Sequence, residues 1–324
     1  MITDMKCIMN KNLTAKCLSL LLMTFLTAAL IVGMSPLIPV YAAENGYSYL
    51  LMPTQITKIN NTYFIVDCNH NQIIYSDNLG TELRYWQVMT RNTQSPHAIT
   101  SDGEIYMVTD TDNNRILTFE KKYDGFKPLQ TFENVGIRPH YAYYDYTDGL
   151  FYAWSSMTGE MYIYQKTPGT KSLTLQEVKS IPELNDCYVR SFTILGDVIL
   201  FPAVELGSIL MVDKNTFEVI HTYPVDDSIA GMVQISAVDG YFFLTVSTDR
   251  QYNQQASTVI RAKSLEDLSN GNYESLYHLF GGNGTPYYVS HFDGAYYMIH
   301  ENAAPNVYRF HAENNSIYDI KGMF

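Results

Sequence analysis

The pair Pro-His recurs 43 residues apart, at Pro96-His97 and Pro139-His140, and both copies open the same pattern of short strand, tight turn and second strand. The first runs on through Ala98-Ile99-Thr100-Ser101-Asp102-Gly103 to Ile105-Tyr106-Met107-Val108, and the second reaches Asp148-Gly149-Leu150-Phe151-Tyr152-Ala153-Trp154. Runs rich in Val, Ile, Tyr and Phe, punctuated by Gly, Asn and Asp at this period, mark one small antiparallel sheet per repeat. Such a sheet cannot bury its own two faces, so the copies must stack radially. The expected fold is all-β, a six-bladed β-propeller of four-stranded antiparallel blades. The blades are expected near 53–94, 95–136, 137–185, 186–230, 231–283 and 284–324. Beyond residue 42 no helical period emerges, except a single turn over Ser264–Ser269 with Ser264 as its N-cap.

Hairpins of equal length support this register. Asp67–Ile73 matches Asp110–Ile116, and Ala203–Ile209 and Glu301–Val307 hold the same place in the fourth and sixth copies. The fifth copy departs from the pattern: its hairpin between Val246 and Val259 is long and polar. Long loops in compact domains often carry function, so this one is a candidate contact surface for a protein partner.

The pattern Pro-His-x-Ile, Asp-Gly, Ile-Tyr-x-Val and Asp-x-x-Asn-Asn-Arg-Ile-x-x-Phe resembles an NHL-type repeat, within the broader group of six-bladed TolB-like propellers. The second copy fits best and the third well, whereas the fourth and fifth match mainly in turn position. The resemblance implies a ring with a central channel. It also permits an enzyme, because some NHL-like lyases use a set of channel histidines.

Residues 1–42 read as an export signal. Lys6, Lys11 and Lys16 precede an apolar run from Leu18 to Val32, and Val40-Tyr41-Ala42 supplies small residues at cleavage spacing. An uncleaved anchor is the alternative, since Cys17 to Met34 is nearly long enough to span a bilayer. Cleavage leaves 43–324 as a single propeller domain, secreted, with no membrane span. The chain carries a net charge of −12, which argues against nucleic acid and anionic membranes as partners. Cys68 and Cys187 fall in the first and fourth blades, too far apart to bridge. An exported chain without a disulfide framework points to a bacterial source.

Counting back six positions from each turn glycine yields one residue per blade near the start of its innermost strand. Gly103 leads to His97, Gly196 to Arg190, Gly240 to Gln234 and Gly294 to Tyr288. Allowing a longer turn, Gly149 leads to His140; the first copy lacks a turn glycine and offers Thr54 or Gln55. Innermost strands line a propeller channel, so Gln55, His97, His140, Arg190, Gln234 and Tyr288 form the candidate ligand-binding ring. Strand alternation would turn His291 away from the channel if Tyr288 faces it.

Two neighbouring histidines suit a transition metal, but a catalytic zinc needs three protein ligands and the other ring positions are Arg, Gln and Tyr. No metal and no cofactor are therefore expected. Asp110-Thr111-Asp112-Asn113-Asn114 opens like a calcium loop yet lacks the closing Gly and Glu, and reads as a tight turn. No Gly-x-Ser-x-Gly, His-Glu-x-x-His or phosphate-cradling loop is present. Tyrosine is abundant, with 27 in the chain, and Tyr141, Tyr143, Tyr144 and Tyr146 crowd one strand. The expectation is a monomeric binding or interaction module whose ligand, a small molecule, glycan or protein, sits near the channel. The alternatives are a lyase or hydrolase using His97, His140, Arg190 and Tyr288, or a protein-interaction scaffold.

Overall fold

The computed structural model describes residues 43–324; the expected export signal lies outside them. Blade 1 comprises β1 (Pro53–Ile59), β2 (Thr62–Asp67), β3 (Gln72–Ser76) and β4 (Gln87–Thr90); blade 2 comprises β5 (Pro96–Ser101), β6 (Tyr106–Asp110), β7 (Arg115–Lys122) and β8 (Gly125–Phe132). Blade 3 holds β9 (Pro139–Asp145), β10 (Leu150–Ser155), β11 (Glu160–Lys166) and β12 (Leu173–Ser180); blade 4 holds β13 (Thr193–Leu195), β14 (Val198–Ala203), β15 (Ser208–Asp213) and β16 (Val219–Pro224). Blade 5 is β17 (Gly231–Val238), β18 (Tyr241–Thr248), β19 (Thr258–Ala262) and β20 (Glu274–Ser275), and blade 6 is β21 (Thr285–Phe292), β22 (Ala295–Glu301), β23 (Val307–Glu313) and β24 (Ser316–Met323). Each blade is a sheet of four consecutive antiparallel strands, and each lies within its expected range. The helical turn also forms as α1 (Leu265–Ser269), where Ser264 Oγ accepts from Asp267 N at 3.0 Å. Among the described residues no helix is long and apolar enough to cross a membrane.

The apolar runs explain the stacking. Central strands such as β14 are buried on both faces, because each blade is covered by a neighbour on either side. The core accordingly divides into clusters at the blade interfaces: Phe64 with Tyr106 between blades 1 and 2, Trp154 with Phe201 between blades 3 and 4. Each fully buried phenylalanine contributes about 1.5–3 kcal/mol. Because every blade is continuous in sequence, the ring closes through side chains rather than strand exchange. Trp86 of blade 1 is wholly buried and meets Phe324 edge-on at 5.6 Å.

The first strands of the blades, β1, β5, β9, β13, β17 and β21, face the axis, and their inner edges have no ladder partner there. Unpaired buried backbone groups are costly. Side chains of the neighbouring blade supply the partners. Thr54 Oγ1 donates to His97 O (2.9 Å), Thr111 Oγ1 to Pro139 O (2.8 Å), Ser191 Oγ to Val233 O (2.6 Å), Thr245 Oγ1 to Tyr287 O (2.7 Å), and Ser290 Oγ to Ile56 O. His140 Nδ1 bonds Arg190 O at 2.9 Å and completes the belt between blades 3 and 4.

Except in blade 4, every axial strand carries a register shift near its start. His140 is the extra residue between the Pro139–Ser155 and Tyr141–Trp154 pairs. Tyr287 and Tyr288 fall between the Pro286–His300 and Val289–Met298 pairs. Bulges of this kind re-aim side chains. Of the candidate ring, His97, His140 and Tyr288 lie within them, whereas Gln55 and Gln234 are paired in register.

Candidate functional site

The channel is closed midway. Tyr141 of blade 3 and Tyr288 of blade 6 meet hydroxyl to hydroxyl, their rings 5.3 Å apart, and so divide the axis into two mouths. Burial raises both phenols above their usual range.

The first mouth is a cavity of about 270 Å³ whose walls include Cys68, His97, Tyr188, Arg190, Tyr287 and Glu301. His97 and His140 stack with ring centres 3.8 Å apart, but His140 lies behind, with both nitrogens engaged. Its Nδ1–H donates to Arg190 O, which leaves Nε2 to accept from Tyr188 Oη at 3.1 Å. His97 Nδ1 lies 2.8 Å from Ser95 O, and its Nε2 faces Cys68 Sγ at 3.9 Å. These partners select the neutral Nδ1–H tautomer for each ring. Burial holds His97 down to about 4 and pushes His140 well below its ordinary value, where the neighbouring His97 and Arg190 add to the effect. Burial also pushes the Cys68 thiol up to about 12. Among the described residues no group of three or more His, Cys, Asp or Glu is placed to hold a metal ion.

Arg190 sits on the chain leading into β13. Its Nη1 donates to Met232 O at 3.0 Å and its guanidinium lies over the Tyr188 ring at 4.6 Å. Among the described residues no carboxylate pairs with it. The same cavity is lined by Glu301, which is missing from the sequence-derived ring. It ends β22 facing Thr285, as Asp67 ends β2 facing Pro53 and Asp110 ends β6 facing Pro96. In those blades the carboxylate clamps the incoming loop: Asp67 Oδ1 accepts from Leu51 N at 3.0 Å, and Asp110 Oδ1 from Gln94 N at 2.6 Å. Glu301, one methylene longer, does not clamp; its Oε1 is buried with no hydrogen-bond partner. Burial pushes its carboxyl up to about 8, against the opposing pull of the Arg190 charge. The mouth thus holds a guanidinium with no carboxylate partner among the described residues and, in the same cavity, an acid whose burial disfavours its charge. The signal for Glu301 was visible as a glutamate where blades 1 and 2 carry the clamping Asp67 and Asp110.

The remaining ring positions serve elsewhere. Gln55 Oε1 accepts from Ile99 N at 2.7 Å and Gln234 Oε1 from Val289 N at 2.7 Å, so each glutamine clasps its blade to the next. Gln55 and Tyr288 border the second mouth, a cavity of about 300 Å³. Tyr288 therefore does not share a cavity with His97 and Arg190, and the expected quartet of His97, His140, Arg190 and Tyr288 does not assemble. His291 borders the second mouth together with Tyr288, contrary to the alternation argument, because the axial strands present an edge to the axis and bulge there. Tyr287, next in sequence to Tyr288, faces the first mouth.

The long fifth-blade hairpin forms part of the first rim. Ser247, Thr248 and Gln254 line the cavity, and the loop is strapped to blade 4 by Arg250 Nη2 donating to Glu205 O at 2.8 Å and by Tyr252 Oη donating to the Glu205 carboxylate. The aspartates of the calcium-like loop are occupied. Asp110 pairs with Arg115 at 2.6 Å and Asp112 with Arg138 at 2.7 Å.

No protein-family model matches the chain, and no curated protein matches it, so the NHL-type resemblance rests on the repeat residues alone. Among solved structures it is similar to a protein of Bacteroides uniformis provisionally named a 6-phosphogluconolactonase, at 12% identity over 84% of this chain and 83% of that one, with a TM-score of 0.57. A counterpart of the same provisional name from Bacteroides fragilis gives 14% identity, 82% coverage of each chain and a TM-score of 0.57. Kuenenia stuttgartiensis hydrazine synthase gives 14% identity over 86% of this chain and 80% of that one, with a TM-score of 0.53. At these identities the likeness is one of fold.

Proposed function

We propose that this chain is a secreted, monomeric binding module that takes a small hydroxylated anion, such as a sugar acid, into the first mouth. One observation carries the reading: Arg190 and Glu301 share a cavity and neither has its charge or its carboxyl oxygen satisfied by the protein. A guanidinium with open donors suits a carboxylate or phosphate. The orphaned Glu301 Oε1 calls for a donor, which a ligand hydroxyl beside the anionic group would supply. His97 in the wall and His140 behind it, both neutral with their nitrogens engaged, fix its shape without competing for the ligand.

Thermal-shift titration with gluconate, glucuronate and inorganic phosphate tests the reading. A bound anion raises Tm as its concentration passes Kd, by about 2.7 kcal/mol of stability at a hundredfold excess over Kd. Arg190→Ala abolishes the shift, and the wild-type shift shrinks above about pH 8 as Glu301 acquires its charge. No shift with any of the anions, or an equal shift in Arg190→Ala, defeats the proposal.

A second reading, hydrolysis or elimination in the same mouth, is favoured by the protonated state of Glu301, since a carboxyl kept neutral near pH 7 suits general acid catalysis. The provisional lactonase names of two structures of similar fold are compatible with it. Glu301→Gln separates the readings: turnover lost with binding retained supports catalysis, whereas a wild type that binds a lactone or ester without turnover leaves binding alone.

A further inference from the structure

Beyond the Tyr141–Tyr288 crossing, the second mouth differs from the first in chemistry. Four tyrosines fall within six residues, and Tyr143, Tyr144 and Tyr146 border this cavity together with Tyr288. We propose that the second mouth is a binding site for a neutral saccharide, with a sugar ring stacked on Tyr143 and Tyr146.

The aromatic surface there is open and held in place. Tyr143 is 39% exposed and Tyr146 74% exposed, whereas Tyr141 and Tyr287 of the axial strands are buried. Tyr146 Oη donates to Ser101 O at 3.3 Å, and its ring stands edge-on to Tyr144 at 4.7 Å. A ring fixed in this way loses little freedom when a ligand covers it. Its apolar face and polar tip match a pyranose, which carries a face of C–H groups and a rim of hydroxyls.

Charge selects a neutral ligand. The one ammonium in the wall, Lys58, lies 2.6 Å from Asp293, whose other oxygen accepts from Tyr63 Oη at 2.7 Å. Asp145, at the end of the tyrosine strand, is neutralised by Lys214. The wall thus offers no unpaired ion, unlike Arg190 in the first mouth. A cavity of about 300 Å³ is at the small end of the usual ligand range, enough for one or two sugar rings.

Calorimetric titration of the protein with cellotriose, maltotriose and triacetylchitotriose tests the site. At least one of these sugars binds with Kd below about 1 mM, and Tyr146→Ala and Tyr143→Ala each weaken that binding about tenfold. Tyr146 is largely exposed, so its variant retains the wild-type Tm. Repeating the titration with saturating gluconate keeps the two mouths distinct, because a sugar in the second mouth is not displaced. Absence of heat with all of the sugars, unchanged affinity in both variants, or displacement by gluconate overturns the proposal, and none of these outcomes bears on anion binding at Arg190.

Discussion

Tyr141 and Tyr288 touch through their hydroxyls across the propeller axis, although 147 residues and half the ring separate them. Blades 3 and 6 stand opposite each other, so the contact spans the channel. A six-bladed ring leaves a gap that backbone cannot fill, and two long amphipathic side chains fill it. Two cavities that share no lining residue lie along the axis, one with an arginine and a buried acid, the other with open tyrosine faces.

This pairing is measurable. Tyr141→Phe and Tyr288→Phe each remove one hydroxyl and strand the other, and each lowers stability by about 1 kcal/mol in urea unfolding. The double variant loses less than the sum, by about 0.5 kcal/mol or more, because the second deletion removes an already stranded group. Additive losses would show that the hydroxyls do not interact.

Glu301 gives the protein an unusual alkaline response. Its carboxyl holds its proton up to about pH 8 in the folded state, against an ordinary value of 4.5. Between those values the folded chain binds more protons than the unfolded one, so the contribution of this group to stability is full below pH 4.5 and is lost as pH rises toward 8. The whole effect is on the order of 5 kcal/mol. Glu301→Gln flattens that slope and is more stable than wild type at pH 9, as equilibrium unfolding at a series of pH values will show. A variant with the wild-type slope would mean that Glu301 ionises normally.

Two buried histidines, His97 in the wall of the first mouth and His300 of blade 6 against Phe280 and Tyr308, act in the opposite sense. Burial holds His97 and His300 at about 4, below the ordinary 6.5, so the unfolded chain binds more protons between those values. Their contribution is full above pH 6.5 and disappears as pH falls through 4, about 3 kcal/mol for each ring. His97→Gln reduces the proton uptake on unfolding at pH 5 by close to one proton, and its stability falls less steeply between pH 6.5 and 4 than that of the wild type. An unchanged slope would place His97 in water rather than in the wall.

The blades were legible because their signals are local: apolar runs, turn glycines and equal hairpins recur in order, and every strand quartet lies within the range those signals mark. The site was legible only by position. His97 and Arg190 do face a common cavity, yet Gln55 and Gln234 at the same repeat position clasp neighbouring blades, and Tyr288 faces the other mouth. His97 and Tyr288 sit within bulges of their strands whereas Gln55 and Gln234 are paired in register, a difference that no local residue pattern announces. Tyr287 and Tyr288, adjacent in sequence, open into different cavities for this reason. Glu301 is the converse case, written in the repeat as a departure from Asp67 and Asp110, and meaningful only once those two are seen to clamp loops.

Gln234 offers the most direct test of the belt that holds the ring closed. The amide of Val289 points toward the axis, where β21 has no ladder partner, and Gln234 Oε1 takes its hydrogen at 2.7 Å. Gln234→Leu keeps the volume and deletes the acceptor, leaving a buried N–H unpaired at a cost of about 1–3 kcal/mol. Gln55→Leu does the same to Ile99 N between blades 1 and 2. Both glutamines are at least nine-tenths buried, so water cannot readily replace them. The effect should be local before it is global: in hydrogen exchange, Val289 loses protection in Gln234→Leu while Ile99 does not, and the reverse holds in Gln55→Leu. Equal loss at both amides in either variant would mean that the ring opens as one unit and that the glutamines are spectators. Selective loss shows that each blade interface is fastened separately, so that the first mouth, whose walls draw on all six blades, keeps its shape through separate clasps.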